Sequence, residues 1–182
     1  MLENWVVTPT CLPLVRRRCH ACGAGRFRAS GKFRVNAHHK LLDVWLLVLC
    51  AGCGDTAKLT VMERANVRSV HPGILDRLHA NDPVLTAELI GAPAVLRRNR
   101  VTLDWSGAWR LDTGGPDRPA DEAIDVTVHF TARIPVRPVR LIAEGFALPR
   151  SEVETLITSG NLVSTARLNT RRSEDFGFTL KR

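Results

Sequence analysis

Four of the five cysteines stand in two matching motifs, Cys19-His-Ala-Cys22-Gly and Cys50-Ala-Gly-Cys53-Gly, with 27 residues between them. Two thiolates two residues apart on a tight turn can grip one metal ion together. The glycine after each second cysteine permits the backbone turn that aims amides at sulfur. Two such knuckles supply four soft ligands, the tetrahedral set of structural zinc. A redox dithiol needs only one such pair, and a closed shell of four cysteines leaves no open position for a substrate. Cys19, Cys22, Cys50 and Cys53 therefore read as ligands of a structural zinc, with buried or redox thiols as the competing reading. Cys11 lies outside both motifs and is expected to be a buried, small apolar residue. His20 could replace a neighbouring ligand, but four cysteines suffice.

The elements that must position these ligands are legible around them. Residues 26–35 end in an alternation of basic and apolar side chains, Lys32, Phe33, Arg34 and Val35. Residues 36–40 read as a polar turn that holds His38 and His39 in solvent. An apolar, strand-like run follows at 42–49, and a further strand is expected at 57–61. The order is knuckle, hairpin, knuckle, strand, which resembles a zinc ribbon. The hairpin returns the chain, so that ligands distant in sequence meet.

The middle of the chain offers no catalytic constellation. Helices are expected at 73–80, after Pro72, and at 83–90, capped by Asn81 and Asp82; Gly91 and Pro93 read as its end. A basic cluster, Arg97-Arg98-Asn99-Arg100, precedes short strands at 101–105 and 109–111. Residues 113–121 read as an exposed loop, and 124–130 alternate as a half-buried strand. There is no G-x-S-x-G, no H-E-x-x-H, no phosphate loop of the usual form and no tyrosine. The scattered histidines, His71, His79 and His129, read as structural, and the carboxylates of 117–125 as a solvated loop. The expectation is a protein that is not an enzyme and has no small-molecule substrate.

Charge points to a polyanionic partner. The net charge is +8 over 182 residues. Residues 1–64 carry ten Lys and Arg against four Asp and Glu, residues 65–132 seven against nine, and residues 133–182 nine against five. Both ends are basic and the middle is mildly acidic. Such surfaces attract nucleic acid first, although 22 of the 26 basic residues are arginine, which also fits a GC-rich genome. No apolar run approaches the roughly 20 residues that span a bilayer, and no secretory signal opens the chain. A cytoplasmic protein without a membrane partner is expected, in which paired cysteines read as metal or redox sites rather than disulfides.

The basic C-terminal stretch from Arg137 to Gly160 reads as two short helices, at 138–144 and 151–159. Val153, Leu156 and Ile157 form an apolar face on the second, and Gly160 stops it. Arg137, the Leu141-Ile142-Ala143 core, Arg150-Ser151-Glu152 and Leu156-Ile157-Thr158-Ser159-Gly160 resemble the S4 RNA-binding motif in register. Val139 and Pro149 depart from it, and no Val-Asn-Gly follows Gly160; residues 178–182 are expected as a returning strand. The resemblance implies two helices that present a basic face to folded RNA.

The whole chain also resembles an uncharacterised bacterial family, defined only as a domain of unknown function. The resemblance rests on the two cysteine motifs, Ser30-Gly-Lys-Phe-Arg-Val-Asn36 and Leu42-Asp-Val-Trp45. These readings combine into an α+β fold. It has a zinc-ribbon domain at 1–64, a mixed helical and strand segment at 65–132 and an S4-like module at 133–182. Zinc ribbons and S4-like modules both occur in ribosome-associated proteins, so structured or ribosomal RNA is the expected partner. Arg16, Arg17, Arg18, Lys32 and Arg34 would meet phosphates on the ribbon. Arg137, Arg140, Arg150, Ser151, Arg171 and Arg172 would engage a second stretch, giving a bivalent clamp. A DNA-binding transcriptional regulator and a zinc-ribbon interaction adaptor are the alternatives.

Overall fold

The computed structural model describes residues 1–115 and 123–181. It is a mixed α+β fold with two five-stranded sheets and, among the described residues, five α-helices. Contacts group the chain into two units. One is Leu12–Asp104; the other joins Met1–Cys11 to Trp105–Arg182. This is not the consecutive three-part division expected at 64 and 132. The physical reason is a first strand whose partners lie more than a hundred residues away.

The Leu12–Asp104 unit contains β2 (Leu14–Arg16), β3 (Arg26–His38), β4 (Leu41–Cys50), β5 (Thr56–Asn66) and β6 (Thr102–Asp104). They form an antiparallel sheet in the order β5-β4-β3-β2-β6. Side chains alternate across a strand, and β4 uses this fully. Leu42, Val44, Leu46, Val48 and Cys50 are buried, while the intervening residues are half-buried on the other face. The buried face packs with Val15, Phe27, Leu59 and Val61, and with Leu78, Leu85 and Ile90 from the helices. The hairpin between β3 and β4 is tighter than the expected five-residue turn: pairing continues to His38 opposite Leu41, and His39 turns with φ 53°.

Three helices follow, α1 (Pro72–His79), α2 (Pro83–Gly91) and α3 (Pro93–Asn99). Each opens with proline, whose missing N–H would have no intrahelical partner in the first turn. The His71 Nδ1 accepts from Gly73 N–H, and the Asp82 carboxylate accepts from the N–H groups of Val84 and Leu85. The helix at α3 is a correction, since Pro93 starts a helix rather than ending structure. Asn99 then binds this helix to β5, accepting from Thr60 N–H at 2.8 Å and donating to Thr60 C=O at 2.9 Å. Arg98 donates to the Val61 carbonyl.

The second unit contains β1 (Leu2–Pro9), β7 (Trp109–Asp112), β8 (Ile124–Phe130), β9 (Leu162–Val163) and β10 (Phe176–Leu180) in the order β7-β1-β8-β10-β9. Among the described strands, β1 and β8 pair in parallel and the other neighbours antiparallel. Its helices, α4 (Pro138–Gly145) and α5 (Arg150–Thr158), match the expected pair to within a residue. Leu141 and Ile142 of α4 and Val153 of α5 enter a core with Trp5, Val7, Val126, Val128 and Phe178. The expected loop at 113–121 and the acidic cluster beside it fall largely outside the described residues, as does Arg182. No described helix is long and apolar enough to cross a membrane.

Trp5 is 0% exposed and stacks edge-on against Phe178 at 5.4 Å. A Cβ at Gly145, in the last turn of α4, would collide with Cη2, Cζ3 and Cζ2 of its indole. Gly145→Ala is expected to destabilise the protein by about 1–3 kcal/mol through overpacking, read as a lowered urea midpoint. Trp5→Phe in the same chain should recover part of the loss. An unchanged midpoint for the single variant would refute this packing.

Candidate metal centre

The two knuckles are built alike. In the first, Cys19 N–H donates to Ala24 C=O at 2.7 Å, and Gly23 N–H donates to Cys19 C=O at 3.0 Å. In the second, Cys50 N–H donates to Asp55 C=O at 2.8 Å, and Gly54 N–H donates to Cys50 C=O at 3.0 Å. Gly23 and Gly54 take φ values of 75° and 77°, the left-handed conformation that each turn requires. At Gly52 a Cβ would lie 3.1 Å from Ala24 Cβ and 3.4 Å from Cys22 Sγ. The close approach of the knuckles thus leaves little room for a side chain there.

The register of the β3–β4 ladder brings the knuckles together. Phe27 stands opposite Cys50, and Ala51 N–H donates to Arg26 C=O at 2.9 Å. All four sulfurs lie within 4.8 Å of one another. Cys19 and Cys53 Sγ are 3.8 Å apart, and Cys22 and Cys50 Sγ are 3.6 Å apart. A metal–sulfur bond of about 2.3 Å in a tetrahedron requires sulfur separations of about 3.8 Å. The geometry can therefore hold one metal ion. Cys19 and Cys50, 2% and 1% exposed, belong to the apolar core of the unit, whereas Cys22 and Cys53 face solvent.

Four thiolates this close repel one another, and their proton affinities separate. The Cys53 N–H draws the Cys50 thiol down to about 6 against the opposing effect of burial, helped by bonds from Gly52, Cys22 and Cys19. The Asp55 N–H lowers Cys53, but Cys22, burial and the remaining thiols outweigh it, pushing Cys53 up to about 12. A divalent cation resolves the conflict by stabilising all four as thiolates.

Beside the knuckles, Asp104 is buried and receives Arg16 at 3.3 Å and Arg26 at 3.2 Å. Arg17 donates to the Lys58 carbonyl at 3.1 Å. Arg16 and Arg17 thus also brace the sheet, while Arg18, Lys32 and Arg34 are exposed. Arg34 pairs across the ladder with Trp45, over whose ring Lys58 Nζ sits at 5.1 Å. Trp45 and Lys58 were not expected as part of a basic face. The alternation of β4, read for its outward positions, carries that signal. Cys11 is exposed rather than buried, because it lies at a bend beyond the end of β1. His38 and His39 are exposed as expected, and His129 Nδ1 pairs with Asp175 at 2.9 Å.

In the other unit, Arg137, Arg140 and Arg150 line a single cavity of about 700 Å³ beside α4, α5 and β9. The Arg140 guanidinium lies 5.1 Å from the centroid of the Trp109 ring. Ser151, Arg171 and Arg172 are not among the lining residues. Arg172 instead exchanges backbone hydrogen bonds with Val136.

A family model described as a protein of unknown function (DUF1062) matches residues 35–168. The chain belongs to the DUF1062 family. The matched span of this DUF1062 protein includes the second knuckle, helices α1 to α5 and the three arginines of the cavity, and it begins after the first knuckle. No curated protein and no solved structure matches the chain.

Thiol labelling tests the centre in this DUF1062 chain. With metal retained, an alkylating reagent is expected to modify Cys11 rapidly and to spare the other four cysteines, although Cys22 and Cys53 are exposed. After chelation all four should become reactive, and the Leu12–Asp104 unit should lose its cooperative unfolding transition. Peptide mapping by mass spectrometry reads both. Equal labelling of Cys11, Cys22 and Cys53 in the protein as purified would count against coordination.

Proposed function

We propose that this DUF1062 protein is a non-enzymatic, zinc-containing RNA-binding protein of the cytoplasm, acting on structured or ribosomal RNA as a ribosome-associated factor. The observation that carries the reading is the convergence of Arg137, Arg140 and Arg150 on one cavity. Three guanidinium groups facing one concave surface favour an anionic ligand. The helix pair, followed by the antiparallel β9–β10 pair, supports the S4-like reading of this region. The net charge of +8 supports a polyanionic partner. The exposed Arg18, Lys32 and Arg34 supply phosphate contacts on the metal-bearing unit, joined by Lys58 beside Trp45.

Zinc is the proposed ion because four cysteine thiolates in a tetrahedron form a closed structural site. Elemental analysis of protein purified without added metal should find about one zinc per chain. Iron with a visible thiolate-to-metal absorption band would replace zinc in the assignment. Cys50→Ser should lower metal content and the thermal midpoint together.

RNA binding is tested by salt titration of affinity for a folded RNA fragment. Changing Arg137, Arg140 and Arg150 together to alanine should weaken binding by roughly tenfold or more, and reduce the slope of log K against log salt by about 2–3. Crosslinking in cells, followed by sequencing, should recover RNA above a Cys-to-Ser control. Tighter binding to duplex DNA at matched salt would favour a transcriptional regulator instead. Unchanged affinity of the triple variant would remove the arginine cavity from the mechanism.

A further inference from the structure

The cavity beside α4, α5 and β9 has a division of chemistry that a flat phosphate-binding face does not need. Arg137, Arg140 and Arg150 supply its charge, and Glu154 is the one carboxylate in the lining among the described residues. Among the described residues, no carboxylate lies within ion-pair distance of these three arginines. That separates them from Arg16 and Arg26, which also line a hollow, by the knuckles, but share the carboxylate of Asp104. Arg140 is further oriented by the Trp109 ring, so less side-chain freedom is lost when it meets an anion.

The remaining lining is largely aliphatic. Val139, Ile157, Leu162 and Leu168 contribute apolar surface, and Asn169 contributes an amide able to donate and accept. Its volume, about 700 Å³, lies within the roughly 300–1,000 Å³ typical of small-molecule sites. A paired duplex cannot enter such a hollow, because its bases are stacked and covered by the partner strand. A single unstacked nucleotide can, and splayed-out bases are what proteins read in folded RNA.

We infer that this cavity takes one unpaired nucleotide, with its phosphate against Arg137, Arg140 and Arg150 and its base against the aliphatic wall. The inference deepens the RNA-binding reading and rests on it where the nucleotide belongs to an RNA chain. A free nucleoside monophosphate has the same chemistry and is the other possible source.

The test uses the full chain with its metal and three probes: a blunt RNA duplex, the same duplex with one bulged nucleotide, and free nucleoside 5′-monophosphates. The bulged duplex should bind roughly tenfold tighter than the blunt one. Ile157→Trp, which narrows the cavity, and Arg140→Gln, which removes charge from it, should each bring that ratio towards one. Retained metal content and an unshifted unfolding transition would show that each variant is folded. If free monophosphates bind, compete with the bulged RNA and lose affinity in both variants, the site still takes a nucleotide, with the free ligand as a source. If neither RNA binds but monophosphates do, the RNA reading fails and the cavity inference stands. Equal affinity for bulged and blunt duplex, together with no binding of monophosphates, would overturn the inference while leaving RNA binding intact. A bulge preference undiminished in both folded variants would also overturn it.

Discussion

The four sulfurs can share an ion only because Phe27 stands opposite Cys50 in the β3–β4 ladder. A slip of one residue would turn every side chain of β4 to the other face and carry Cys50 away from Cys19. The register is held from both ends. Leu42, Val44, Leu46 and Val48 must face the helices, and His39 closes a tight turn at the far end. The metal site and the apolar core are one constraint, since Cys19 and Cys50 belong to both. An ion at the knuckles closes a loop whose entropy the hairpin has already reduced, so ligation and strand pairing reinforce each other.

The arginines divide by what faces them. Arg16 and Arg26 meet the buried Asp104, Arg98 meets a backbone carbonyl, and Arg77 meets Asp82 and Glu88. These guanidinium groups hold elements together. Arg137, Arg140 and Arg150 face a hollow instead. A count of positive charge cannot separate the two classes, because a basic residue spent on a carboxylate contributes as much to net charge as one left open. In a chain with 22 arginines this distinction carries most of the functional information.

Much of the fold was legible where its signals were local. The cysteine pairs announced themselves because each knuckle is a five-residue motif. β4 showed as an apolar run of strand length and β8 as a period of two, and α1, α2, α4 and α5 carried proline starts or an apolar stripe. What escaped was non-local or ambiguous. Pro93 can end one helix or begin the next, and only the docking of Asn99 on β5 selects the second. The strand at Leu2–Pro9 shows alternating Trp5 and Val7, but nothing near it reveals that its partners are β7 and β8. That omission also misplaced the unit boundaries. The cavity was half legible: its arginines were named from the motif-like spacing, whereas its concavity depends on β9 and on residues beyond it that show no periodicity.

Threading by β1 has a consequence for the order of events during synthesis. The strand is the first to be made, yet it is an interior strand of its sheet and must wait for its neighbours β7 and β8. Translation at about 5–20 residues per second leaves it unpaired for on the order of ten seconds. The Leu12–Asp104 unit is contiguous and can complete its sheet and its thiolate cluster within that interval. Early metal capture would then shorten the effective tether between β1 and its later partners, so the nascent chain's supply of the ion would affect how readily β1 closes on them once they are made.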